Sequence, residues 1–69
     1  MAIYYKLRAL RAGYGMYQKD MCELLGLKAE STYSQKERGI RGFSQGEIKK
    51  IIDRFNLDGT QIKEIFYSN

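Results

Sequence analysis

Tyr17-Gln18-Lys19-Asp20-Met21-Cys22-Glu23-Leu24-Leu25-Gly26-Leu27 decides how this chain is read. Met21, Leu24 and Leu25 recur at the spacing of one helical face, while Gln18, Lys19 and Glu23 are polar. Gly26 supplies a stop, and Leu27 restarts the hydrophobic pattern. Directly after it, Glu30 to Glu37 is rich in hydrogen-bonding side chains and is closed by Arg38-Gly39. The pattern predicts two short helices, about Tyr17–Leu25 and Glu30–Lys36, joined by a tight turn. Tyr17 stands where an N-capping Ser or Thr would be expected. Leu27 and Tyr33 bracket an otherwise polar segment, so Tyr33 is the clearest core candidate there.

Working outward, Ile3, Leu7 and Leu10 fall at i, i+4 and i+7 and predict a first helix from about Ile3 to Tyr14, ended by Gly13 and Gly15. Met16 is an apolar anchor before the second helix. Downstream, Ile40-Arg41-Gly42 reads as loop. Ser44-Gln45-Gly46-Glu47 is a capping box, with Phe43 and Ile48 as its hydrophobic staple. Ile48, Ile51, Ile52 and Phe55 line a fourth helix, Asn56-Leu57-Asp58-Gly59 breaks it, and Thr60–Tyr67 forms a last one presenting Ile62, Ile65 and Phe66. The fold class is therefore all-α: a compact five-helix bundle in one domain, residues 1–69. Two helices across a glycine turn, the second of them polar, are the sequence form of a helix-turn-helix, here helices 2 and 3.

The chain carries 12 Lys and Arg against 8 Asp and Glu, a formal charge of +4 that suits a polyanionic partner. Cys22 is the only cysteine and histidine is absent, so an internal disulfide, a zinc site and a His-based acid/base pair have no material. No enzyme, cofactor or metal is expected. No apolar run approaches the roughly 20 residues that span a bilayer, and no signal-peptide pattern is present, which predicts a cytoplasmic chain without a membrane partner.

Four stretches in order carry a family likeness. They are Leu7-Arg8-Ala9-Leu10-Arg11 with Gly15-Met16-Tyr17-Gln18; Leu24-Leu25-Gly26-Leu27; Thr32-Tyr33-Ser34-Gln35-Lys36-Glu37-Arg38-Gly39; and Leu57 through Phe66-Tyr67. Through them the chain resembles the Cro/repressor (Xre-like) helix-turn-helix proteins of temperate phages and bacterial chromosomes. The resemblance implies a lambda-repressor-like DNA-binding domain in a bacterial host cell. It places Gln18 on a phosphate, with the N-terminus of the second helix adding its N–H groups. Matched backward from Glu37-Arg38-Gly39, it places Gln35, Ser31 and Glu30 at base edges, with Ser34 beside them. Gln35 would then pair with adenine N6 and N7, and Glu30 would accept from cytosine N4. Lys19, Lys28, Lys36, Arg38 and Arg41 cluster around the unit and suit phosphates, Arg41 alternatively the minor groove. Lys49, Lys50 and Arg54 read as solvated.

Arg11 and Glu37 take a structural role in the resemblance, as a shielded fork between two helices. Cys22 fills a position the family gives to alanine and reads as a small buried residue. From Gly26 to Gly39 the chain has one residue more than the family's usual spacing. One residue turns a helix by about 100°; the turn is expected to absorb it, because Tyr33 must face the core.

Two functions compete. The first is a sequence-specific transcription regulator, a Cro-like phage repressor reading double-stranded operator DNA through the third helix. One module this small makes few contacts, so it would pair as a homodimer, using Ile65, Phe66 and Tyr67. The alternative is a protein-interaction module, an antirepressor or modulator that binds a partner phage repressor and blocks its DNA surface. Glu30, the irregular turn and the surplus tyrosines Tyr4, Tyr5, Tyr14, Tyr17 and Tyr67 fit that second reading.

Overall fold

A computed structural model describes residues 4–67. Five helices follow in order: α1 (Tyr5–Gly13), α2 (Gln18–Leu25), α3 (Glu30–Glu37), α4 (Gln45–Phe55) and α5 (Gly59–Ile62), the last running on as a π-helical turn, Lys63–Tyr67. Among the described residues all regular structure is helical, as the periodicity requires. Ile3, placed at the start of the first helix by its spacing, lies outside the described residues.

Three of the five starts have a local cause in a side chain. Tyr17 makes no side-chain cap, but the Asp20 carboxylate accepts from the Tyr17 N–H at 2.7 Å and lies at the positive end of the α2 dipole. α4 has both halves of its box: Ser44 Oγ accepts from Glu47 N–H at 3.1 Å, and Glu47 Oε1 from Ser44 N–H at 2.8 Å. Asp58 and Gln61 repeat the exchange at α5, at 2.8 and 3.0 Å.

Four helices share one ending. A residue just past the helix is left-handed, at Gly15, Gly26, Gly39 and Asn56 (φ 70, 71, 79 and 51°). The next residue, Met16, Leu27, Ile40 or Leu57, returns its N–H to a carbonyl five positions back at 2.9–3.1 Å. This is the Schellman closure, and its apolar second residue folds back over the helix it ends. Met16, Leu27 and Leu57 pack on the core in that way, whereas Ile40 is 51% exposed.

Leu7, Met21, Tyr33 and Ile51, one from each of the first four helices, are fully buried. Burying each aliphatic member contributes about 1.5–3 kcal/mol. Cys22, Leu25, Phe55, Leu57 and Ile65 close the cluster. Beside it lies an aromatic group in which Phe43 meets Tyr4 at 5.3 Å, Phe66 at 5.9 Å and Tyr33 at 6.3 Å between ring centroids.

Two expectations change here. Ile65 belongs to the core and Phe66 to the aromatic group, so of the trio expected at a partner interface only Tyr67 stays open. A single turn of α-helix cannot hold itself, and α5 is fixed because its continuation docks on α1 through those two side chains. Tyr4, counted among the surplus tyrosines, is likewise half-buried in the aromatic group. Arg54 is exposed, as expected, and its guanidinium lies over the Tyr14 and Phe55 rings at 5.8 and 5.4 Å.

Candidate nucleic-acid interface

The α2–α3 turn comes first, because it aims α3. Gly26 N–H bonds the Glu23 carbonyl at 3.2 Å and Leu27 N–H the Cys22 carbonyl at 2.9 Å. A side chain at this left-handed position would be strained by about 1–2 kcal/mol. Cys22 is 7% exposed, and its thiol lies 3.2 Å from the Leu27 carbonyl, clamping the turn. Ala29 then runs extended (φ −135, ψ 139°) into α3. Tyr33 points inward with no exposed surface.

Only Tyr33 and Glu37 of α3 are buried, one turn apart on one face. Glu37 is 3% exposed and is held from three directions. Arg11 Nε donates to its Oε2 at 2.9 Å and Nη2 to Oε1 at 3.2 Å, a two-pronged fork from α1. The Tyr33 hydroxyl donates to the same Oε2 at 2.8 Å. Arg11 Nη1 also holds the Met16 carbonyl at 2.8 Å, and the Tyr4 N–H caps the Glu37 carbonyl at 3.0 Å. The hydrogen bonds to Glu37 hold the Arg11 guanidinium above its usual pKa, against the opposing effect of burial. Burial pushes the Tyr33 hydroxyl well above its ordinary value, and the bond to the carboxylate adds to the shift.

The other residues of α3 lie outside the buried core. At 100° per residue, Gln35 lies opposite the Tyr33–Glu37 face, with Ser31 and Arg38 within about 60° of it; Ser34 and Glu30 sit roughly 100° and 140° away. The structure therefore brings Gln35 and Ser31 together beside Arg38, leaves Ser34 on the flank, and puts Glu30 towards the Tyr33–Glu37 side at the exposed first turn. Ser31 and Glu30 are exposed; Ser34 and Gln35 are half-buried. Around this face Lys19, Lys28, Arg38 and Arg41 are exposed, and Gln18, the first residue of α2, is half-buried.

Lys36 is placed elsewhere, and the expectation of a phosphate contact is corrected. Its ammonium group donates to the Gly42 carbonyl at 2.9 Å and to Glu47 Oε1 at 3.0 Å, with 13% of the side chain exposed. It also lies 5.8 Å from the centre of the Phe43 ring. Its charge is spent joining α3 to the start of α4. Burial pushes the Glu47 carboxyl up, but the Ser44 N–H and Lys36 outweigh it and leave the group below the ordinary carboxylate value. Sequence reasoning also missed the link between Arg41 and Gln35, in which Arg41 Nε donates to Gln35 Oε1 at 2.6 Å. The signal was Gly39: a left-handed closure there turns the loop back over the last turn of α3.

A polar helix fixed through its inner face, flanked by cations that make no salt bridge among the described residues and set at a fixed angle by a glycine turn, defines the helix-turn-helix class of DNA-binding domains. A family model described as helix-turn-helix matches residues 7–62. The chain belongs to this family, the Cro/Xre-like helix-turn-helix proteins, and is a DNA-binding regulator of the helix-turn-helix kind. No curated protein and no solved structure matches the chain significantly. Among the described residues no helix is long and apolar enough to cross a membrane, and no group of His, Cys, Asp and Glu could hold a metal ion.

Proposed function

We propose that the chain is a Cro-like phage repressor that reads operator DNA through α3 and pairs as a homodimer on pseudo-palindromic sites. The observation that carries this reading is the division within α3. Tyr33 and Glu37 fix the helix, and Gln35, Ser31 and Arg38 lie on its opposite side. Gln18 and the N-terminal N–H groups of α2 suit one phosphate, and Lys19, Lys28, Arg38 and Arg41 suit others. The regulator would act in the cytoplasm of a bacterial host.

Mobility shifts on candidate operator and random duplexes, over a range of salt, test this. Four exposed cations per module predict a log–log salt slope of roughly −3.6, and about −7 for a pair. Gln35→Ala should lose about 1–3 kcal/mol on operator and nothing on random DNA. Equal losses on both would remove Gln35 from base reading.

A second reading, a module that binds a partner repressor, draws on Glu30 at the exposed start of α3 and on Tyr5, Tyr14, Tyr17 and Tyr67, which are 54–73% exposed. Absence of binding to either duplex, with a stoichiometric complex between this chain and a repressor encoded beside it, would replace the first reading by the second.

A further inference from the structure

Gln35 and Arg41 are tied together twice. The closing turn of α3 sets the Ile40 N–H on the Gln35 backbone carbonyl at 2.9 Å and the Arg41 N–H on the same carbonyl at 3.3 Å. From that position the Arg41 side chain reaches back, and its Nε donates to Gln35 Oε1 at 2.6 Å. Arg41 is exposed and makes no salt bridge among the described residues. The contact is therefore not incidental to a carboxylate elsewhere. Backbone and side chain both direct the guanidinium to this one amide.

An amide side chain reads adenine by accepting from N6–H through its oxygen while donating to N7. Here a charged donor already engages the oxygen, which weakens it as a second acceptor and fixes the plane of the amide. The groups left at the rim of the pair are donors: Nε2 of Gln35 and the two terminal nitrogens of Arg41. Guanine presents two major-groove acceptors, O6 and N7, to such a row, whereas adenine would set its own N6 donor against it.

We propose that Gln35 and Arg41 form one donor unit that selects guanine over adenine at the base pair facing the C-terminal end of α3, with Arg41 setting the preference. This rests on the reading of α3 as the helix that faces bases. It replaces the adenine contact that an isolated glutamine would make, and it gives Arg41 a role beyond neutralising a phosphate.

Selection from a randomised duplex library, with the parent, Gln35→Ala, Arg41→Met and Arg41→Lys, tests the proposal. The parent should favour guanine over adenine about tenfold at one position per half-site. Gln35→Ala should lose the preference at that position. Arg41→Met should move it to adenine while the other positions keep their bases. Arg41→Lys, which keeps the charge but lacks the Nε–H, should move it likewise. An Arg41→Met profile unchanged at every position, with uniformly weaker binding, overturns the proposal and leaves Arg41 a phosphate contact. So does a parent that selects adenine at the position Gln35→Ala erases. A parent that enriches no sequence at all refutes base reading by α3 itself, a failure separate from any loss confined to the Arg41 variants.

Discussion

Glu37→Gln removes one charge from the joint that fixes α3 while leaving the side-chain shape almost unchanged. In the parent the carboxylate receives three donors, two from Arg11 and one from Tyr33. Glu37 is 3% exposed and the Arg11 side chain 11%. A glutamine offers one acceptor oxygen where both Tyr33 and Arg11 Nε now share Oε2, and it turns an NH2 group toward Arg11 Nη2. Removing one partner of a shielded pair costs about 3–5 kcal/mol, because the other charge stays out of water. Arg11 keeps the Met16 carbonyl at 2.8 Å. That remaining acceptor puts the loss at the low end, about 3 kcal/mol.

A domain this size has roughly 3–10 kcal/mol of stability in all. The midpoint of thermal unfolding should therefore fall by about 12–24 °C, at about 4–8 °C per kcal/mol. The urea midpoint should fall by about 3 M for a slope near 1 kcal/mol/M. Far-UV circular dichroism at neutral pH measures both. A thermal midpoint within about 4 °C of the parent would limit the fork to less than 1 kcal/mol and leave Tyr33 alone to hold α3. The loss comes from the unmatched charge, so matched removal should reverse it. Arg11→Met with Glu37→Met takes away both charges but strands the Tyr33 hydroxyl, at about 1–3 kcal/mol. Adding Tyr33→Phe removes that penalty. Stability rising from the single to the double to the triple variant is the signature of this mechanism.

Three further outcomes follow from the same structure. Tyr33 has a folded-state pKa above that of the unfolded chain; its contribution is full below about pH 10 and is lost above it, by up to about 1.4 kcal/mol per pH unit. The stability difference between parent and Tyr33→Phe should therefore be flat through neutral pH and shrink above pH ~10, and a difference that stays constant there would contradict the burial of the hydroxyl. Lys36→Met should cost about 1–2 kcal/mol of folding stability and leave the salt slope of DNA binding unchanged, while Lys28→Met lowers that slope by about one; a slope lowered by Lys36→Met would return Lys36 to the phosphates. Gly26→Ala should cost about 1–2 kcal/mol from backbone strain alone, since nothing lies within 4 Å of an added Cβ. Gly42→Ala, equally open but without a left-handed φ, should be neutral in the same unfolding assay.

The architecture was legible because its signals are local. Apolar residues at helical spacing, the Ser44–Glu47 box and the Gly26 stop each act within one or two turns, and five helices follow from them. Two local signals were present but not read. Asp58 and Gln61 form a second capping box, and an apolar residue follows each left-handed one at Gly15, Gly26, Gly39 and Asn56. The fork between Arg11 and Glu37 spans 26 positions, and only the family resemblance pointed to it. The Tyr33 hydroxyl on the same carboxylate had no signal beyond a tyrosine one turn before a glutamate. Ile65 and Phe66 were misplaced because an apolar pair on a terminal helix reads the same whether it closes its own core or meets a partner.

The cations show the limit most clearly. Lys19, Lys28, Lys36, Arg38 and Arg41 are equivalent as letters near one motif, and only the path of the chain after α3 separates them. Gly39 N–H returns to the Lys36 carbonyl at 3.1 Å, and that closure lays residues 40–42 along the helix. Two consecutive α3 residues then grip the loop: Gln35 at Arg41 and Lys36 at Gly42. Lys36 is withdrawn from solvent by this grip, Arg41 is committed to one amide, and Lys19, Lys28 and Arg38 are exposed and make no salt bridge among the described residues. A loop held at two adjacent points moves with the helix that holds it. On the proposed reading, the outer face of α3 and the Arg41 loop would meet a duplex as one preformed surface, with little ordering entropy left to lose on contact.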